Sequence, residues 1–131
     1  MFTIMQNLPA HILGIRAEDV VTAEDYEMIL IPLLDEALRQ GRKVRLLYQL
    51  SPKFARLTLG AAWDDLKVGL KYMMAFEKVA VVTDIGWIRD AARMFKPLIP
   101  CPVHDYANNQ LDEAIAWLAG TEVSPQPEMN S

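Results

Sequence analysis

The chain contains two histidines and one cysteine, the side chains best suited to metal binding or nucleophilic chemistry. His11, His104 and Cys101 form no cluster at metal-ligand spacing. His104 and Asp105 are neighbours on a predicted strand, so their side chains should point to opposite faces and not form a catalytic dyad. Cys101 lies between two prolines and has no local basic partner to lower the pKa of its thiol. These residues predict no metal site and no nucleophilic enzyme.

Carboxylates are the next candidates. Asp64 and Asp65 are adjacent on a predicted helix, where neighbours point about 100° apart, so we do not expect them to share a proton or a metal. Asp64 with Lys67, and Lys67 with Lys71, are instead expected to form a solvent-exposed charged face. Asp84 follows a predicted strand just before a helix, where an aspartate usually caps the helix, although it could also bind a cation.

Motifs that hold phosphates or activate a serine are missing. The amides at the helix start after Asp84 could hold an anion, but no glycine-rich loop or phosphate-binding lysine accompanies them. The sequence has no Gly-x-Ser-x-Gly motif and no P-loop. We therefore expect a protein without catalytic activity and without a cofactor.

The remaining candidates are apolar and cluster where two strands are predicted to run into helices. Phe54 and Leu57 lie in residues 51–58, a predicted loop in which hydrophobic periodicity does not account for them. Ligands of open α/β sheets gather outside the carboxyl ends of strands, so we expect a small hydrophobic ligand there. The alternative is core packing or a dimer contact, and core packing is the expected role of Trp63. The predicted ligand-binding residues are Leu50, Phe54, Leu57, Trp63 and Trp87.

Alternating strands and helices are predicted to position these side chains. Strands are predicted at residues 2–6, 11–16, 43–50, 76–83 and 103–106, and helices at 22–40, 59–74, 87–96 and 110–119. The first two strands should form a hairpin. Alternation from the second strand onward predicts parallel strands joined by right-handed crossovers, with the opening strand antiparallel.

Several residues mark the boundaries of the predicted elements. Thr22 should cap the first helix, Pro32 should disturb it near Met28, and Gly41 should end it. Gly14, inside the second strand, indicates a bulge or a close backbone neighbour.

Three segments, residues 44–48, 60–71 and 76–87, resemble the bacterial SpoIIAA-like family. This family is related to the STAS domains of anti-sigma-factor antagonists and is often labelled STAS/SEC14. The resemblance covers about residues 2–120. It implies an α/β fold with a mixed sheet of four or five strands, the first antiparallel and the rest mainly parallel, flanked by about four helices.

The resemblance also has functional implications. In true antagonists, a serine in an Asp-Ser-Ser-Gly-like turn after the central strand is phosphorylated by a partner kinase. Here residues 56–60 read Arg-Leu-Thr-Leu-Gly, so the Asp-Ser pair is missing and Thr58 and Ser51 are the candidate phosphate acceptors. The SEC14 part of the label points to an apolar ligand held beside the sheet.

Composition limits the remaining classes. Charged residues make up 23% of the 131 residues and the net charge is −4, with Lys and Arg scattered, which disfavours nucleic acid and anionic membranes as partners. The strongest apolar run, residues 28–34, is too short to span a bilayer. The single cysteine and the lack of a signal sequence predict a cytoplasmic protein. Residues 1–120 are predicted to form one domain and residues 121–131 a disordered tail.

Together these observations predict a non-enzymatic STAS-like module that binds a small apolar, lipid-like ligand. A regulatory protein-interaction module using the same surface is the alternative, and an enzyme built from dispersed residues is third. An exposed apolar surface would also suit a homodimer.

Overall fold

The strands β1 (Phe2–Ile4), β2 (Ile12–Val21), β3 (Val44–Leu57), β4 (Phe76–Val82) and β5 (Val103–Tyr106) form one mixed sheet. The helices are α1 (Ala23–Asp25), α2 (Ile31–Arg39), α3 (Leu59–Lys71), α4 (Gly86–Phe95) and α5 (Leu111–Ala119). The computed structural model describes residues 1–120, except the side chains of residues 62, 65, 66, 69, 70, 73, 95 and 98. The predicted tail, residues 121–131, lies outside the described residues.

The strands lie in the order in which they occur along the chain. β1 is antiparallel to β2, and β2, β3, β4 and β5 are parallel, which confirms the predicted mixed sheet. From β2 to β5, each connection therefore carries the chain to the next strand in the same direction across the sheet. Because such connections are right-handed, the helices that they contain, α1 to α4, all lie on one face of the sheet. α5 packs on the other face through Ala114, Trp117 and Leu118. The two faces bury separate apolar clusters.

α1, a π-helical segment and α2 run on as one helix, so four helices flank the sheet. Thr22 caps its start in a capping box with Asp25, as predicted for Thr22. The π segment (Tyr26–Leu30) lies where Pro32 was expected to disturb the helix. Pro32 has no N–H to bond the carbonyl of residue 28, and the N–H of Ile31 reaches back to the carbonyl of Tyr26 instead.

β2 and β3 continue beyond the rest of the sheet as a two-stranded ribbon. The predicted loop at residues 51–58 is wrong, because β3 runs to Leu57 and pairs with an extended β2. Phe54 lies opposite Asp19 and Leu57 opposite Val21, with shifts in register between Ala17 and Val20. The bulges disturb the strict alternation of a strand, so the sequence pattern resembles a loop.

Candidate functional site

The predicted site lies at the carboxyl ends of β3 and β4, and three of its five residues belong to the interior. Leu50 is 3% exposed and part of the core under α1 to α4. Phe54 and Leu57 are half-buried in the ribbon and pack against the same core. The ribbon thus turns these apolar side chains toward the apolar cluster between the sheet and its helices.

The two tryptophans project outward. Trp63 is 60% exposed and Trp87 is 68% exposed, so the expected core role of Trp63 is wrong. The reason is the orientation of α3, which buries Ala61, Val68 and Tyr72 instead. Leu59 lies one turn before Trp63 and is 92% exposed. Residues four apart share a face of a helix, and we call Leu59 and Trp63 the α3 apolar surface.

The hydroxyls of the two candidate phosphate acceptors both accept hydrogen bonds from the backbone. Thr58 caps α3, its Oγ1 accepting from the N–H of Ala61 at 3.1 Å. Ser51 is 8% exposed, and its Oγ accepts from the N–H of Lys53 at 3.1 Å. Their roles as phosphate acceptors stay predictions.

A polar network, which sequence reasoning missed, crosses the carboxyl edge of the sheet on the α5 face. Gln49 is 6% exposed. Its Oε1 accepts from Nε of Arg16 at 3.0 Å, and its Nε2 donates to Oδ1 of Asn108 at 2.9 Å. The network therefore joins β2 and β3 to the 3-10 turn (Asn108–Gln110) that precedes α5.

Asp84 completes this network and does not cap α4, so the predicted capping role is wrong. The helix cap is Ile85, which offers no side-chain hydrogen bond. Asp84 instead accepts from the N–H of Asn108 at 2.9 Å and from its Nδ2 at 3.1 Å. These bonds hold the pKa of Asp84 below its ordinary value. Asp84 thereby ties the end of β4 to the turn before α5.

Side chains also occupy the edge of β3 that β4 leaves unpaired. The carbonyl of Leu50 accepts from Nδ2 of Asn108 at 3.2 Å. The N–H of Lys53 is held by Ser51, and Pro52 has no N–H to offer. Proline and self-satisfied backbone groups protect a strand edge from pairing with another chain. Strand addition is therefore disfavoured along residues 50–53.

Asp64 is not on a solvated face, which makes that expectation wrong. It is 3% exposed because the face of α3 that carries it packs toward α1 and the π segment. Its Oδ1 lies 3.2 Å from Nζ of Lys67, so the two form an ion pair. The side chain of Asp65 lies outside the described residues.

The histidine and aspartate of β5 face opposite ways, as predicted. The ring of His104 stacks on Trp117 at 3.9 Å between centroids. Asp105 instead accepts from the guanidinium groups of Arg89 and Arg93 on α4, each at 2.9 Å. Burial raises the pKa of the Cys101 thiol. Among the described residues, neither the surroundings of His104 and Asp105 nor those of Cys101 place a base beside a nucleophile.

Metal sites, membrane-spanning helices and cavities are the remaining features that bear on function. Within residues 1–120, no group of three or more His, Cys, Asp or Glu side chains is placed to hold a metal ion. No helix in that range is long and apolar enough to cross a membrane. A depression of about 200 Å³ lies at the opposite, amino edge of the sheet, between α2 and the starts of β2 and β3. None of the five predicted ligand-binding residues lines it.

Comparison with known proteins decides the family. A family model described as SpoIIAA-like matches residues 12–119. The chain belongs to the SpoIIAA-like family. A crystal structure of an uncharacterized protein of the DUF3478 family with a SpoIIAA-like fold, from Shewanella loihica PV-4, is similar at 30% sequence identity. The match covers 90% of this chain and 92% of that one, with a TM-score of 0.69. No curated protein matches the chain.

The SpoIIAA-like assignment confirms the predicted resemblance and fold. The five-stranded mixed sheet with its antiparallel first strand is the one that the resemblance implied. In this SpoIIAA-like chain, Thr58 stands at the cap of α3 after the central strand, where the resemblance places the antagonists' regulatory turn.

Proposed function

We propose that this SpoIIAA-like domain is a non-enzymatic interaction module whose protein partner docks on the α3 apolar surface. The observation that carries the proposal is the exposure of Leu59 and Trp63, at 92% and 60%. Tryptophan is highly buried on average and is enriched among the residues that dominate binding energy at protein interfaces. The surface begins one residue after Thr58, the position that the family resemblance links to regulation.

The exposed area of Trp63 is large enough to contribute measurably to the affinity for a partner. A tryptophan offers about 150–250 Å², so covering the exposed part of Trp63 buries roughly 100–150 Å². At about 25 cal/mol per Å², that burial contributes about 3 kcal/mol, which corresponds to roughly 100-fold in Kd. Loss of this indole should therefore be easy to measure.

The experiment compares Trp63→Ser with Trp87→Ser, since both indoles are exposed but lie on different helices. Partners retained from extract by the wild-type protein are identified, and their Kd values are measured with each variant by calorimetry. We expect Trp63→Ser to weaken binding about 100-fold, with little loss for Trp87→Ser. Equal affinity of wild type and Trp63→Ser would contradict the proposal.

A small apolar ligand is the second candidate, and one observation favours it. Val79 and Val81 lie on the helix-covered face of β4, a strand with neighbours on both sides, yet both are only half-buried. α3 packs toward α1 and the π segment, while α4 packs toward β5. A molecule held between α3 and α4 would cover these two valines and Ile88, which is also half-buried.

The two candidates respond to different substitutions. Titration with a fluorescent fatty acid should give saturable binding that Val81→Phe weakens and Trp63→Ser leaves unchanged. Mass spectrometry of an extract of the denatured, purified protein should then detect a bound lipid. An extract without lipid together with no saturable binding would exclude this candidate.

A further inference from the structure

Two carboxyl groups meet where the π segment packs against α3. Asp64, on α3, is 3% exposed, and its Oδ1 pairs with Lys67. Its Oδ2 is buried and has no hydrogen-bond donor among the described residues. A buried acceptor without a donor is costly, and such groups are rare in folded proteins. A carboxyl group, which accepts when ionised and donates when protonated, would supply the missing hydrogen bond.

Glu27 is the side chain in position to supply it. Glu27 lies in the π segment, and its carboxyl is within hydrogen-bonding reach of Asp64. Two ionised carboxylates have no proton between them and repel each other. When one of them is protonated, it becomes an O–H donor and the other remains the acceptor.

We propose that Glu27 takes up a proton from solvent and that its O–H then donates a hydrogen bond to Oδ2 of Asp64, so that a carboxyl–carboxylate hydrogen bond latches the π segment to α3. When the proton returns to solvent, both groups are charged and the latch opens. The proposal concerns the chain alone and does not rest on the proposed function.

The surrounding groups favour the protonated form of Glu27 more than solvent does. The hydrogen bond with Asp64 and its negative charge raise the pKa of Glu27 above its ordinary value. Glu24, on α1, acts in the same direction, whereas Lys67, on α3, opposes it. Because the pKa of Glu27 is raised in the folded protein, the latch stabilises the fold most below the pKa of unfolded Glu27. That stabilisation is lost as pH rises through the folded value.

Glu27→Gln tests the latch, because its amide donates a hydrogen bond at every pH. Glu24→Gln removes the same charge from the adjacent α1 and is the matched control. Carboxyl carbon NMR should show Glu27 titrating at a higher pH than a glutamate in a short unstructured peptide. Thermal midpoints measured from below the ordinary glutamate pKa of 4.5 up to neutral pH should fall with rising pH for wild type and Glu24→Gln, relative to Glu27→Gln. Subtracting the thermal midpoint of Glu27→Gln at each pH removes the contribution of every other titrating group that the proteins share.

Two results would overturn the proposal. One is a Glu27 carboxyl that titrates at the same pH as a glutamate in a short unstructured peptide. The other is a pH dependence of the thermal midpoint that is the same in wild type and Glu27→Gln, or that Glu24→Gln removes equally. Neither measurement involves a partner, so failure here leaves the docking proposal standing, and the reverse also holds.

Discussion

The network around Gln49 predicts that Gln49→Ala destabilises the protein more than any exposed polar substitution near it. The change removes the hydrogen bonds to Arg16 and Asn108, each worth about 1 kcal/mol. It also removes apolar atoms of a side chain that is 6% exposed, which adds about 1 kcal/mol for lost packing. The expected total is about 3 kcal/mol, or a fall of roughly 10 °C in Tm for a chain of this size.

The assay is chemical and thermal denaturation followed by circular dichroism. Asn109→Ala is the matched control, because Asn109 is exposed, adjacent to Asn108 and outside the network, and it should change stability by less than about 0.5 kcal/mol. A double-mutant cycle with Asn108→Ala should give a coupling energy of about 1 kcal/mol. A cost for Gln49→Ala below about 0.5 kcal/mol, with additive effects in the cycle, would refute this account of the carboxyl edge.

Two other predictions test contacts elsewhere in the fold. Gly14→Ala should cost about 1–3 kcal/mol, since its Cβ would overlap Cδ1 of Leu8 and lie 3.0 Å from Cβ of Met5, whereas Gly86→Ala, with nothing within 4 Å, should be close to neutral in denaturation. Asp105→Asn should lower Tm at pH 7. Burial favours the protonated form of Asp105, but the two arginines of α4 outweigh it and lower the pKa. The difference from wild type should therefore begin to shrink as pH falls below about 4 and vanish below the lowered pKa of folded Asp105.

The sequence pattern predicts the elements whose stability is local. Thr22 as helix cap, Gly41 with its positive φ as helix end, and β5 at residues 103–106 are all confirmed. Each of these depends on residues within a few positions of one another or on backbone geometry that one residue type favours. The bulge or close backbone neighbour predicted at Gly14 is wrong, because the atoms that approach this residue belong to the side chains of Leu8 and Met5.

Features that depend on contacts between residues far apart in the sequence could not be predicted from local sequence patterns. The β3 extension around Phe54 exists because β2 runs alongside it, and its bulges hide the alternation that identifies a strand. The orientation of α3 depends on its packing against α1, so apolar spacing alone placed Trp63 in the core. Gln49 gave a weak signal, as a polar residue at a strand end, but its partner Asn108 lies 59 residues away.

The order of the strands also limits where this domain can meet other molecules. Nucleotide-binding α/β sheets wind outward from the middle in both directions, and the crevice that opens where the winding reverses holds the ligand. This sheet steps from β2 to β5 without turning back, so no such crevice arises within residues 1–120. What it offers instead is a broad layer of helices on one side, whose outward side chains can change without disturbing the strands beneath.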